Sequence, residues 1–397
     1  MKILMLTPYL PYPPVSGGQT RSYNLIMKLS EKHDITLYSL IKEEKEKEYV
    51  KYLNKYCKKV RVFKRSQSPF TFSNILRTGF GKYPFLVIRN HVNIEKDALL
   101  EEINSGYDLI HAETFYVMPH IPETDTPILL VDQTIEYLVY KHYVDDQAPL
   151  IAKPLFSIDV AKLKYWETRF WKSADKVVAM SESDKKDMQK LVPDLNVDIV
   201  PNGIDISFFS KPNKRKTGPP RVLYVGNFKW LQNVEAAEVL INKVWPKIKE
   251  EVGDVKLWIV GRYITDEIKQ YASIDIEIKE NIEDIRDAYY GSTVLVAPIE
   301  GPGGTRLKIL EAMASSLPVV STTVGVEGLG VKNGVHAYIS NSWSGLAKYA
   351  IKVIKDEKIA KSMGESAKSF VVENYSWNVS AQILDGLYKE MVDAKKS

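Results

Sequence analysis

Short runs of β-branched and apolar residues alternate with helical patterns along the whole chain, and this alternation most limits the possible folds. Lys2–Leu6, Ile35–Ser39 and Val60–Phe63 are predicted strands, and Thr20–Ser30 is a predicted helix between the first two. Strands that alternate with helices form parallel sheets with both faces covered. The sequence therefore predicts an α/β protein of the doubly wound kind.

The same alternation stops near residue 200 and then restarts, which indicates two domains. Residues 211–220 form the most linker-like stretch, with four Lys or Arg, three Pro and one Gly. A single core stops growing at about 250–300 residues, and this chain has 397. We expect two doubly wound domains that face each other across a cleft. They comprise residues 1–205, with a C-terminal helix at about 377–397 packed back on them, and residues 206–376.

Composition excludes several classes of protein. The chain has one cysteine, Cys57, so an intrachain disulfide and a cysteine-based zinc site are excluded. The six histidines show no metal-ligand spacing, and a net charge of +4 does not favour nucleic acid as a partner. No apolar run approaches the roughly 20 residues that span a bilayer. Met1–Leu6 is typical of a buried strand rather than a signal peptide, so we expect a cytoplasmic protein.

One stretch of the first domain, residues 42–87, combines basic and aromatic residues. Between Lys42 and Arg65 there are ten Lys or Arg and four Glu, and Phe70, Phe72, Phe80 and Phe85 follow. This mixture is consistent with peripheral contact with the inner face of the plasma membrane. The alternative is a solvated amphipathic helix at Lys45–Cys57 followed by a packed loop.

The loop after the first strand is long, rich in proline and ends in Gly17 and Gly18 at a helix start. Glycines there let backbone amides approach an anion, and a helix N-terminus favours negative charge. The GxGxxG pattern of dinucleotide folds does not follow the strand, which argues against a dehydrogenase. An ordinary turn is the alternative.

A second glycine-rich loop, residues 301–304, also leads from a strand into a helix. Thr305 is a plausible N-cap, and Arg306 and Lys308 follow at the helix mouth. Amides and cations at this place suit a diphosphate. The carboxylate of Glu311, further along the helix, can accept hydrogen bonds from the vicinal hydroxyls of a ribose. A capped helix with solvated charges is the alternative.

In order and spacing, these segments resemble the retaining GT-B glycosyltransferases of family 4. The resemblance covers nearly the whole chain. It rests on Gly17-Gly18, on 108–111 (DLIH), 200–205 (VPNGID), 224–228 (YVGNF), 258–262 (WIVGR) and 304–314 (GTRLKILEAMA).

The resemblance implies that the first domain holds an acceptor and the second a nucleotide sugar. It implies transfer with retention at the anomeric carbon, by a front-face mechanism in which a donor phosphate oxygen takes the acceptor proton. No metal and no cofactor are expected beyond the nucleoside-diphosphate sugar as substrate. The acceptor is expected to be a glycan or lipid-linked sugar in surface polysaccharide synthesis.

The resemblance also implies roles for individual residues. Expected at the reacting groups are His111, Arg306 and Lys308, and expected at the acceptor are Glu113 and Gln133. Expected at the donor are Gly17, Gly18, Gly226, Asn227, Lys229, Gly261, Arg262, Gly303, Gly304, Thr305 and Glu311.

Two departures from the family pattern affect the donor site. Glu311 matches the second Glu of the family's E-x7-E element, but Gly303 stands where the first Glu is expected. Asn227 and Gln232 occupy positions where the family usually has an Arg and a Lys. Other cations must then balance a diphosphate, and Arg306, Lys308 and Lys229 are the candidates.

Two other functions share this architecture. A nucleotide-sugar 2-epimerase would need acidic and basic groups around the sugar C2, and carboxylates are sparse in these loops. A non-catalytic nucleotide- or glycan-binding protein is the other, since a fold does not determine a function.

Overall fold

A computed structural model describes residues 1–66, 71–92, 96–146, 148–212, 218–301 and 307–396. The chain divides into two compact units, Met1–Asn202 with Trp377–Ser397, and Gly203–Ser376. Each unit contains one parallel sheet, so the predicted α/β fold with two doubly wound sheets is confirmed. No helix in the described ranges is both long and apolar enough to cross a membrane.

The sheet of the first unit has buried strands with helices on both faces. Its strands lie in the spatial order three, two, one, four, five, six, seven, so the order reverses between the first and the fourth. Ligands of doubly wound sheets bind at this reversal, beyond the carboxyl ends of the strands. The strands are β1 (Lys2–Thr7), β2 (Asp34–Ile41), β3 (Lys59–Lys64), β4 (Leu109–Glu113), β5 (Ile128–Val131), β6 (Lys176–Ala179) and β7 (Val197–Ile199).

The sheet of the second unit is built in the same way from six strands. Numbered by their place in the sequence of this unit, its strands lie side by side in the order three, two, one, four, five, six. The reversal therefore lies between the first and the fourth. The strands are β8 (Arg221–Asn227), β9 (Lys256–Arg262), β10 (Ile276–Glu280), β11 (Val294–Ala297), β12 (Val319–Ser321) and β13 (Tyr338–Ile339).

Helices connect most successive strands. The residues Glu44–Tyr49 form a 3₁₀ segment where the sequence predicted the first part of a helix at Lys45–Cys57. None of the side chains of this segment is buried, so no apolar face packs it against the sheet. Further 3₁₀ segments are Phe115–His120 and Val324–Val326, and Leu240–Val244 is a π-helix. The α-helices are α1 (Gly17–Leu29), α2 (Val50–Leu53), α3 (Phe72–Phe80), α4 (Phe85–Ile88), α5 (Lys96–Asn104), α6 (Glu136–Asp146), α7 (Lys153–Ser173), α8 (Glu182–Leu191), α9 (Ile206–Phe209), α10 (Leu231–Val239), α11 (Trp245–Val252), α12 (Asp266–Lys269), α13 (Ile285–Tyr290), α14 (Leu307–Ala314), α15 (Trp343–Lys355), α16 (Glu357–Asn374) and α17 (Trp377–Lys396).

The C-terminal helix α17 belongs to the core of the first unit. Trp377, Leu384 and Tyr388 of α17 are buried in one apolar cluster with Leu25 of α1. The hydroxyl of Ser380 donates to the backbone oxygen of Pro201 at 2.8 Å. Helix α17 therefore completes a sheet face whose strands come from the other end of the chain.

Candidate active site

Glu113 is the centre of a buried polar cluster at the reversal point of the first sheet. It is the last residue of β4 and is fully buried. Its carboxylate lies 2.8 Å from Nε2 of His111 and 3.4 Å from Nε of Arg21, and it accepts a hydrogen bond of 2.6 Å from Nε2 of Gln133. These three groups come from β4, α1 and the loop after β5, which meet only in the folded unit.

The charges of Glu113 and Arg21 stabilise each other inside this cluster. Burial raises the pKa of Glu113, but the hydrogen bond with His111 and the charges of His111 and Arg21 outweigh it, so its pKa is lower than usual. Burial lowers the pKa of Arg21, and the charge of Glu113 opposes this effect. The pair is ionised at neutral pH, because a guanidinium keeps its proton even when its pKa falls.

Arg21 also connects the cluster to the end of the first sheet. Its Nη1 donates to the backbone oxygen of Pro201 at 3.2 Å and to Oδ1 of Asn202 at 3.0 Å. Its Nη2 is buried and has no hydrogen-bond partner among the described residues. Nε also makes no hydrogen bond to these residues and has only its 3.4 Å ion-pair contact with Glu113, so Nη1 makes both hydrogen bonds of the guanidinium.

Both ring nitrogens of the predicted catalytic residue His111 are engaged. Nε2 contacts Glu113, and Nδ1 lies 2.5 Å from the hydroxyl of Tyr388 on α17. The His111 side chain is fully buried. Its assignment as a catalytic residue stays a prediction, and these contacts favour a role in positioning Glu113.

Gln133 lies at the half-buried edge of the cluster, beside the glycine loop. Its Nε2 donates to the hydroxyl of Tyr9 at 2.8 Å as well as to Glu113. A Cβ on Gly18 would lie 2.5 Å from the Tyr9 hydroxyl and 2.8 Å from Oε1 of Gln133, so a larger residue there would displace these two side-chain ends. Gly17 is exposed at the start of α1, and the side chain of Ser16 caps this helix.

At the reversal point of the second sheet, Lys308 of α14 reaches back to the end of β8. Its amino group donates to Oδ1 of Asn233 at 2.6 Å and to the Tyr224 hydroxyl at 3.0 Å. Nδ2 of Asn233 in turn donates to the backbone oxygen of Asn227 at 2.8 Å. A cation therefore stands close to Asn227, where the family usually places its own.

Glu311 lies about one turn after Lys308 on the same helix and is half-buried. One of its oxygens accepts a hydrogen bond of 2.5 Å from the hydroxyl of Tyr289 on α13. Burial raises the pKa of Glu311, while Tyr289 and the charge of Lys308 oppose this effect.

The remaining donor-site candidates line the ends of β8 and β9. Gly226 pairs with Gly261, and a Cβ on Gly261 would lie 2.0 Å from the Gly226 oxygen, so packing explains this glycine without a ligand. Lys229 is exposed, with its amino group 3.6 Å from the ring centroid of Tyr263, and Arg262 is exposed at the end of β9. Gly303, Gly304, Thr305 and Arg306 lie outside the described residues.

Sequence reasoning missed several members of both clusters. Tyr9, Arg21 and Tyr388 contact the Glu113 cluster, and Tyr289 and Asn233 contact Glu311 and Lys308. Arg21 lies three residues after Gly18, and this closeness to the glycine loop is the one feature of the local sequence that could have identified it. The others are tyrosines and an asparagine in helices or loops with no distinctive spacing. Among the described residues no group of three or more His, Cys, Asp or Glu side chains is placed to hold a metal ion.

Two family models match the chain. Residues 15–208 match the family described as Glycosyltransferase Family 4, and residues 219–356 match the family described as Glycosyl transferases group 1. The chain belongs to these glycosyltransferases. The predicted family is confirmed, and each of the two sheets falls mainly within one of the matched ranges.

Individual relatives align with this glycosyltransferase over nearly its whole length. An uncharacterized 44.6 kDa protein in the cps region of Klebsiella pneumoniae is 27% identical, over 98% of this chain and 99% of that one. Sucrose-phosphate synthase of Thermosynechococcus elongatus has a TM-score of 0.72 at 17% identity, over 99% of this chain and 100% of that one. Anabaena HepE, in complex with UDP and glucose, has a TM-score of 0.64 at 15% identity, over 98% and 99% of the two chains. At these identities the two solved structures show the GT-B fold alone.

Proposed function

We propose that this glycosyltransferase moves a hexosyl group, with retention, from a nucleoside-diphosphate sugar to a hydroxyl of a glycan or lipid-linked acceptor. The observation that carries the proposal is the pair Lys308 and Glu311, about one turn apart on α14 at the reversal point of the second sheet. Lys308 supplies a cation for the diphosphate and Glu311 a carboxylate for the ribose. One helix thereby binds both parts of a nucleoside diphosphate.

The chemistry follows from the charges that develop in the reaction. The leaving diphosphate gains negative charge as the bond to the sugar breaks, and a fixed ammonium group stabilises that charge in a low-dielectric site. In the front-face mechanism a phosphate oxygen accepts the proton of the attacking hydroxyl. The protein then mainly holds the reacting groups in position, so no protein nucleophile is needed.

We assign the acceptor to the first unit. Gln133 is the half-buried member of the Glu113 cluster, and its amide is held by Tyr9 and Glu113. The relative from the cps region of Klebsiella pneumoniae supports surface polysaccharide synthesis as the context. Because the structure of Anabaena HepE contains UDP and glucose, UDP is the first nucleotide to test as the donor.

Thermal-shift binding with UDP, GDP, ADP and their common sugars tests the donor site. A ligand at one hundred times its Kd should add about 2.7 kcal/mol to the free energy of unfolding. We expect one nucleoside diphosphate to raise the Tm of the wild type, and Glu311→Ala to abolish the rise. Glu365→Ala, an exposed glutamate of the same unit, is the matched control. No stabilisation of the wild type by any nucleotide would contradict the proposal.

Turnover of the selected nucleotide sugar then separates the possible activities. A glycosyltransferase releases nucleoside diphosphate faster when an acceptor is present and retains the anomeric configuration in the product. Epimerised nucleotide sugar without release of diphosphate would identify a 2-epimerase. Binding without any turnover would identify a non-catalytic nucleotide-binding protein.

A further inference from the structure

Helix α7 presents a row of apolar side chains to solvent. Leu155, Ile158 and Tyr165 are 65%, 59% and 56% exposed, and their spacing of three or seven residues places them on one helix face. The opposite face of α7, which includes Leu163 and Trp171, is fully buried against the sheet. An apolar row on the outer face of a helix whose inner face is already packed indicates a partner.

Further apolar residues protrude beside this row. Leu150 and Ile151 precede α7 and are 82% and 99% exposed, and Phe80 at the end of α3 is 91% exposed. The amino group of Lys162 donates to the backbone oxygens of Thr78 and Gly81 at 2.7 and 3.1 Å. Phe80 is therefore held next to the α7 row, since Lys162 follows Ile158 by one turn.

Within residues 71–92 and 148–174 all exposed charged side chains are basic. In residues 71–92 and 148–174 the acidic residues are Asp159 and Glu167, and both are buried. Asp145 and Asp146, which precede this part, contact Lys141 and His142. Exposed basic residues in the two ranges are Arg77, Lys82, Lys164, Arg169 and Lys172.

The basic stretch between Lys42 and Arg65 is different, because many of its charges are paired. Lys45 and Lys47 form ion pairs with Glu43 and Glu44, and Lys59 contacts Glu102. These contacts favour the alternative of a solvated surface for residues 42–65. Of the aromatic residues predicted to contact a membrane, Phe70 lies outside the described residues and Phe80 protrudes.

We propose that Phe80, Leu150, Ile151, Leu155 and Ile158 form a docking face that rests on an anionic lipid bilayer. Apolar side chains that protrude among basic ones enter the region between headgroups and acyl chains, while the cations contact lipid phosphates. A second copy of the chain fits less well, because a two-fold interface would bring the exposed basic residues of these two ranges face to face. The proposal goes beyond the proposed function and needs no catalytic activity.

Vesicle co-sedimentation of the full chain tests the docking face. The wild type should sediment with phosphatidylcholine vesicles that contain phosphatidylglycerol and remain in solution with pure phosphatidylcholine. Leu150→Ser with Ile151→Ser should lower partitioning at least tenfold, since both side chains are exposed and their loss does not disturb the core. Ile274→Ser, at a residue 86% exposed in the second unit, should leave partitioning unchanged.

Charge variants test whether the basic residues contribute to vesicle binding. Arg77→Ala and Lys82→Ala should each lower partitioning about fivefold at low salt, whereas Lys45→Ala should have little effect. Failure of the wild type to sediment, or equal sedimentation of the apolar variant, would overturn the proposal. A dimer in light scattering that Leu150→Ser with Ile151→Ser abolishes would also overturn it, in favour of a second copy. Nucleotide binding, measured without vesicles, reports on the proposed function separately.

Discussion

The amino group of Lys308 lies 2.6 Å from Oδ1 of Asn233, which links the start of α14 to helix α10, the element that follows β8. This contact places a cation near Asn227, although the usual Arg and Lys of the family are missing from that loop. The position results from a long-range contact, because 75 residues separate Lys308 from Asn233.

Lys308→Met should weaken the binding of a nucleoside diphosphate. A hydrogen bond to a charged group contributes about 1.5–3 kcal/mol, so we expect a loss of affinity of roughly tenfold or more. The corresponding nucleoside monophosphate should lose less affinity, because it lacks the second phosphate. Isothermal titration calorimetry measures both, with Lys348→Met, an exposed lysine of the same unit, as the control. Equal losses for the two ligands would place Lys308 away from the diphosphate.

Glu113→Gln should strongly destabilise the first unit. The change removes the counter-charge of Arg21 and leaves a buried guanidinium without compensation, which costs about 3–5 kcal/mol. Urea denaturation measures the free energy of unfolding, and Glu101→Gln on the surface is the control. Adding Arg21→Met to Glu113→Gln should recover part of the loss. If the double variant is less stable than the sum of the single changes predicts, the two charges do not stabilise each other.

Tyr388→Phe tests whether α17 positions His111. The change removes the hydroxyl that lies 2.5 Å from Nδ1 of His111 and leaves a buried ring nitrogen without this partner. We expect a loss of about 1–3 kcal/mol in stability. We also expect a lower kcat with a smaller effect on the donor KM, because the proposed diphosphate and ribose contacts, Lys308 and Glu311, lie in the second unit. The control Tyr143→Phe, at an exposed tyrosine, should leave stability and kcat near the wild-type values. If Tyr388→Phe behaves in the same way, the contact between Tyr388 and His111 has no role in either.

Asp132→Asn should flatten the pH dependence of stability. Burial raises the pKa of Asp132 and of Glu167 well above the usual values, and the two carboxyl groups share a hydrogen bond. The folded chain therefore keeps a proton that the unfolded chain releases above a pH of about 4, so wild-type stability falls as the pH rises. The Tm difference between Asp132→Asn and the wild type should therefore shift in favour of the variant as the pH rises from about 5 to about 8.

Glu167→Gln is the contrasting variant for the same pair. Glu167 accepts the backbone N–H groups of Glu136 and Tyr137 at 2.7 and 3.1 Å, one with each oxygen. A glutamine turns an NH₂ group toward one of these donors and should cost about 1–3 kcal/mol. Parallel pH profiles for the wild type and Asp132→Asn would show that the two carboxyl groups do not hold an extra proton.

Two glycine substitutions should have opposite effects. Gly261→Ala places a Cβ 2.0 Å from the backbone oxygen of Gly226, so β8 and β9 must separate and the second unit should lose several kcal/mol. Gly386→Ala, within α17, meets no atom within 4 Å and should add about 0.5–1 kcal/mol. Thermal unfolding of both variants measures the difference. A tolerated Gly261→Ala would mean that the two strands are not held at this distance.

Local pattern was sufficient to predict the class of the fold and the family. Apolar runs such as Lys2–Leu6 and Ile35–Ser39 became strands because a parallel sheet buries them on both faces. The pattern was less informative where charge repeats without an apolar face, as at Glu44–Tyr49, where a 3₁₀ segment replaces the predicted helix. The roles assigned to individual site residues stay predictions, including those of Gly303, Gly304, Thr305 and Arg306.

The sequence by itself determined the strand–helix alternation, the two glycine loops and the placement of Lys308 and Glu311 on the helix that follows the second loop. These features depend on neighbours a few residues apart, so they can be identified without coordinates. Only the tertiary structure decided that Tyr388 contacts His111 and that Asn233 contacts Lys308. Such contacts join residues 277 and 75 positions apart. They arise from the burial of whole helices against the sheets, and no local pattern of residues encodes them.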